Sequence, residues 1–159
     1  MSMTITIDRA LFETIYSLLN LTKPVNLTVS VEPPEGLVKS ILGGRSSPQE
    51  DPKIKDIDSK TVLDAVAGAY GPLLVGKTEE IEEHCIWVRP TRGVLEASVS
   101  LVHEMIHASQ MESFGVKVYH ELDAKWMNDV GYEGNPFEVE AENMSRFITH
   151  DVGLIFYES

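Results

Sequence analysis

His103-Glu104-Met105-Ile106-His107 lies inside Thr91 to Gly115, a segment that reads as one helix. Leu95, Val99, Val102 and Ile106 recur at steps of four, three and four, the period of a helical core face. Thr91 is placed to cap the start, and Gly115 suits the left-handed turn that ends a helix. At four residues' spacing the two histidines stand one turn apart on one face, so both imidazoles reach a single ion. Neutral imidazole is a good zinc ligand, and two of them need one or two further partners. Glu104 borders the same position, where a carboxylate serves as general base toward a water. The helix is apolar around most of its circumference, so it is expected to be buried. Burying His-Glu-His without a metal or other partners is costly.

The surrounding chain is ordinary for one globular domain, and residues 1–159 are taken as a single unit. A net charge of −12 argues against nucleic acid or an anionic membrane as the main partner. The single cysteine, Cys85, allows no internal disulfide. Met1 to Asp8 has neither a basic n-region nor a long apolar run, so a cytoplasmic protein is expected.

From the start of the chain, Asp8 caps a helix expected to run to about Asn20, with Leu11, Ile15 and Leu18 on one face. Val25 to Glu32 alternates apolar and polar residues, the pattern of a half-buried strand, and Pro33-Pro34 stops it. Leu37 to Leu42 fits either a short strand or a helical turn, and Gly43 to Lys60 reads as a long exposed loop. Thr61 to Tyr70 is expected as a strand, with a helix the alternative, turned at Gly71-Pro72. Glu79 to Glu83 reads as a solvated acidic turn, and His84 to Arg89 as a strand leading into the histidine helix. A further helix is expected over Tyr119 to Val130. Asn135-Pro136-Phe137-Glu138 opens another, with Asn at the cap, Pro in the first turn and Glu at the third position. Phe137, Ala141, Met144 and Ile148 form its apolar face. Val152 to Tyr157 is apolar enough to pack as a final strand.

His103 to Ala108, with a following helix that carries Glu140-Ala141, resembles the zincin metallopeptidases. Asn135 to Ala141 is similar to the glutamate-bearing helix of small gluzincin-like domains, in which a Glu followed by Ala completes the zinc site. Gln110 also fits such domains. The resemblance covers Ile86 to Ile148. It implies an α+β, zincin-like single domain: a small twisted mixed sheet packed on the active-site helix, with a C-terminal helix supplying a third ligand. It also implies that an edge strand binds extended peptide by strand addition. A second resemblance is to SprT-like metalloproteases, through His103 to Ala108 and Asp123-Ala124-Lys125-Trp126. Where those proteins have their third zinc histidine, this chain has Leu122, with His120 two residues earlier.

Three residues compete for the third ligand. Glu138, at the third helical position, is expected to fold back on the Asn135 amide as part of a cap. Glu140 has no such task and precedes a small residue, so it is the expected ligand. His120 stands away from the core face of its own helix. The reading is thus a Zn2+-dependent metallopeptidase with His103, His107 and Glu140 as ligands, Glu104 as general base, and a peptide or protein substrate. The alternative is a non-enzymatic, metal-stabilised interaction module. Elsewhere, His84 reads as a solvated edge residue, His150 as a partner of the helix dipole, and Cys85, Trp87 and Trp126 as core. Tyr132, just before the last of these helices, reads first as packing, with stabilisation of an oxyanion near the metal as the alternative.

Overall fold

The computed structural model describes residues 4–34 and 67–158. The chain runs β1 (Ile5–Ile7), α1 (Arg9–Leu18), β2 (Val25–Val29), β3 (Gly68–Leu74) and β4 (Ile81–Val88). A 3-10 turn (Pro90–Arg92) leads into α2 (Val94–Phe114), then α3 (Val116–Asp129), the single turn α4 (Gly131–Gly134), α5 (Pro136–Asp151) and β5 (Phe156–Glu158). The fold is mixed α+β. β4 is the centre of a three-stranded sheet, parallel to β2 and antiparallel to β3. β1 and β5 form a separate antiparallel pair. Leu37 to Leu42, Gly43 to Lys60 and most of Thr61 to Tyr70 lie outside the described residues.

α1 forms where expected. Asp8 caps it by accepting the Leu11 N–H, and Phe12 and Ile15 are buried. α2 lies against the sheet and supplies most of the core. Leu101, Val102, Met105 and Ile106 are at most 1% exposed, and they join Phe12, Ile15, Ile86 and Val88 in one cluster. Each such burial stabilises the fold by about 1.5–3 kcal/mol. Two expectations for this helix fail. Its N-cap is Gly93 at φ 93°, because Thr91 is taken up in the preceding 3-10 turn. Leu95, in the first turn, is 55% exposed, and the buried stripe starts only at Ala97.

The sheet corrects three further readings. Gly71-Pro72 does not turn the chain but continues β3, which is an edge strand among the described residues. Pro72 stands opposite His84, whose N–H turns instead to the Pro24 carbonyl on the β2 side. That pair therefore exchanges no bonds, and the donor that proline lacks faces away from the sheet. Glu79 to Glu83 is not one solvated turn: β4 begins at Ile81, which is buried. His84 is not an edge residue, since β4 is flanked on both sides and its side chain is fully buried. On α5, Ser145 takes the buried place expected for Met144, which is 38% exposed. Trp126, half-buried, packs on Phe137 with ring centroids 4.9 Å apart. Cys85 is half-buried, and burial pushes its thiol pKa up.

Candidate metal centre

His103 and His107 project from successive turns of α2, with Nε2 atoms 3.2 Å apart. A carboxylate from the first turn of α5 meets them. Glu138 Oε2 lies 3.4 Å from His103 Nε2 and 3.2 Å from His107 Nε2. Three potential ligand atoms thus form a nearly equilateral triangle. An ion about 2.0–2.1 Å from nitrogen and oxygen donors in tetrahedral geometry sets those donors about 3.3–3.4 Å apart. The triangle fits one face of such a site, and two imidazoles with one carboxylate is a suitable donor set for zinc.

The tautomer of His107 follows from its neighbours. Gln110 Nε2 donates to the Phe137 carbonyl at 3.0 Å and to Glu140 Oε1 at 3.1 Å. Gln110 Oε1 is therefore the atom 2.9 Å from His107 Nδ1, and it must accept a proton from that nitrogen. The Tyr119 hydroxyl stands 3.3 Å from the same nitrogen. With Nδ1 protonated, Nε2 is the nitrogen left to hold an ion by its lone pair or, protonated in turn, to donate to Glu138. His103 Nδ1 lies 3.6 Å from Glu142 Oε2, a carboxylate held by Arg146 at 2.7 Å.

Glu138 stands where the sequence-based ranking expected Glu140. The structure brings Glu138, not Glu140, to the two histidines. The Asn135 amide donates to the Tyr132 carbonyl at 3.2 Å, so it does not recruit the Glu138 carboxylate into a cap. Asn135 still caps α5, accepting the Phe137 N–H at 3.0 Å, and Asp123 fixes its amide at 2.7 Å. Glu140 sits on the outer side of α5 and reaches the centre only through Gln110. His120, half-exposed on α3, packs edge-on against Tyr119 and is not among the clustered groups. Tyr132, exposed as a whole, hydrogen-bonds to the Glu138 side chain.

The electrostatics of the triangle are those of a site short of positive charge. Burial alone pushes the Glu138 carboxyl upward, but hydrogen bonds from His103 and His107 outweigh it and hold its pKa well below the usual range. Burial likewise lowers the His107 pKa, and the Glu138 and Glu104 carboxylates and Gln110 more than reverse that. Glu104 is partly buried and is not in the triangle. It lies beside the start of β3: a Cβ placed on Gly68 would be 3.8 Å from its Cγ and 2.9 Å from the Trp87 carbonyl oxygen. Glycine at 68 is therefore what lets β3 pair closely with β4 beside Glu104.

A second polar cluster had no signal in the sequence. The His84 ring bridges the Tyr70 hydroxyl, 2.8 Å from Nδ1, and Glu112 Oε2, 2.7 Å from Nε2. Glu112 also accepts from the Thr22 hydroxyl and from the Thr22 and Lys23 amides. The cluster ties α2 to β3, β4 and the α1–β2 connection. Its members come from four distant parts of the chain, so no local spacing announces it.

Comparison of this chain with protein-family models, with curated proteins and with solved structures finds no match.

Proposed function

We propose that this protein is a zinc-dependent metallopeptidase in which His103, His107 and Glu138 hold the ion and Glu104 is the general base. The observation that carries the reading is the triangle of ligand atoms with Glu104 adjoining but outside it. Three protein donors leave room for water or substrate, whereas a structural zinc site is filled by protein. Bound zinc lowers the pKa of water and polarises a carbonyl oxygen.

The chain's own residues supply the rest. Gln110 keeps the proton on His107 Nδ1 and so orients the ring. Glu104 takes a proton from the attacking water and delivers it to the leaving amine. β3 runs past Glu104 as an edge strand, which suits an extended peptide bound by strand addition. Tyr132 donates its hydroxyl proton to Glu138 and so helps hold that carboxylate ionised toward the two histidines.

The deciding experiment is hydrolysis of a quenched-fluorescent peptide library by the zinc-loaded protein and by Glu104→Gln. Loss of a general base lowers the rate by about a hundredfold or more. The variant is expected to keep its zinc and its circular dichroism spectrum while losing turnover. Equal turnover by the two proteins overturns the role of Glu104. No turnover by the zinc-loaded parent favours a non-enzymatic, metal-stabilised module.

A further inference from the structure

Two strand edges face one groove outside the metal centre. The groove, of about 510 Å3, lies between β1 and β2 and includes the buried rings of Phe12 and Phe156 in its lining. Which backbone groups point into it follows from the hydrogen bonds made on the other side of each strand.

In β1, Ile7 stands opposite Phe156, but the Phe156 N–H donates to Ser98 Oγ at 3.2 Å. The next residue, Asp8, sends its N–H to the Ile155 carbonyl at 2.7 Å. Ile5 and Ile7 therefore belong to pairs that exchange no bonds, and their N–H and C=O groups point away from β5. In β2, the Pro24 carbonyl accepts from His84, and the Ser30 N–H donates to Val88. The even-numbered residues thus face β4, and Val25, Leu27 and Val29 turn their backbone groups outward. Ile5, Ile7, Val25, Leu27 and Val29 all line the groove. Among the described residues, no strand pairs with either edge.

We propose that this groove binds an extended segment of a partner protein, which adds a strand against β1 and β2. A helix satisfies its own backbone groups and has nothing to offer two rows of open donors and acceptors; an extended chain offers both. Apolar residues at alternate positions of the segment meet the Phe12 and Phe156 side. Arg9 is the charged residue in the lining, so an acidic residue at that end of the segment completes the match. The site is independent of the metal reading.

Two measurements test it. In amide hydrogen exchange of the protein alone, Ile7, Leu27 and Val29 are expected to exchange rapidly while Thr28 and Ser30 are protected. Slow exchange at the outward positions shows that the chain or a second copy already fills the groove, and overturns the proposal. The second measurement is fluorescence anisotropy with the labelled peptide Val-Thr-Val-Thr-Val-Asp. The expected result is binding that slows exchange at those same outward amides. It should weaken by about tenfold or more when alternate peptide nitrogens are methylated, since each lost hydrogen bond removes about 0.5–1.5 kcal/mol. Val29→Pro removes an outward donor without touching the β4 ladder and is expected to weaken binding while leaving zinc content unchanged. Failure of the peptide to bind, or equal binding of the methylated peptide, overturns the proposal.

Discussion

At the scale of single residues, the choice between Glu138 and Glu140 as candidate ligand turns on a cap. Both carboxylates stand on α5, two positions apart, and both touch the network around His107, one directly and one through Gln110. Had the Asn135 amide bound Glu138, that carboxylate would be turned back on its own helix. The amide bonds to Tyr132 instead, and Glu138 is free to face α2. Loss of a group that only orients a ligand typically lowers metal affinity by 10- to 100-fold. Competition titration against a zinc chelator is therefore expected to show a loss of about a hundredfold or more for Glu138→Ala. Glu140→Ala should lose about tenfold. The reverse order would restore Glu140 as the ligand.

At the scale of elements, the pairing of β3 with β4 beside Glu104 depends on one missing side chain. Gly68→Ala puts a Cβ 2.9 Å from the Trp87 carbonyl oxygen, so the start of β3 has to shift relative to β4, and with it the backbone that stands beside Glu104. Displacements of about 1 Å at a reacting centre can lower turnover by a hundredfold. The expected result is a fall in kcat/KM of tenfold or more at unchanged zinc content; equal loss of zinc would instead mean that α2 itself is distorted. The Tyr70–His84–Glu112 cluster makes a second prediction. Burial outweighs the attraction of Glu112 and lowers the His84 pKa, so the folded protein resists the proton that the unfolded chain accepts below about 6.5. For Glu112, burial raises the pKa, but hydrogen bonds from Thr22 and His84 prevail and hold it below its ordinary value. Both groups bind protons more readily when unfolded. Stability is thus fully present above about pH 6.5 and declines as the pH falls through the two folded values. Urea unfolding of the chelator-treated protein at pH 7 and pH 5 should show this loss, and Glu112→Gln, which removes the attraction that raises the His84 pKa, should steepen it. An unchanged slope in the variant would remove the cluster from the explanation.

Across the whole molecule, the candidate metal centre joins elements that are far apart in the chain. α2 brings both histidines, and α5 brings the carboxylate 31 residues after His107. Any ion that binds this arrangement and not the unfolded chain stabilises the fold by about 4 kcal/mol at a thousand times its Kd. For a chain of this size that corresponds to a rise in Tm on the order of 10 °C. Calorimetry with zinc, and then with a chelator, is expected to show such a difference, and His103→Ala should abolish it. A Tm indifferent to zinc would separate the centre from the stability of the fold.

The histidine pair was legible in the sequence because its geometry is local: four residues along a helix is one turn, whatever surrounds it. The same holds for the Asp8 and Asn135 caps and for the alternation of β2, each set by neighbours within a few positions. Where the meaning of a residue depended on another element, the sequence misled. Pro72 reads as a turn until β3 is known to be an edge, and His84 reads as solvated until β4 is known to lie between two strands. Glu138 reads as a cap until the Asn135 amide is seen to bond elsewhere. Local spacing encodes which side chains share a face, but the partner across that face is chosen by packing between segments tens of residues apart. Only the tertiary structure decided which carboxylate meets the two histidines.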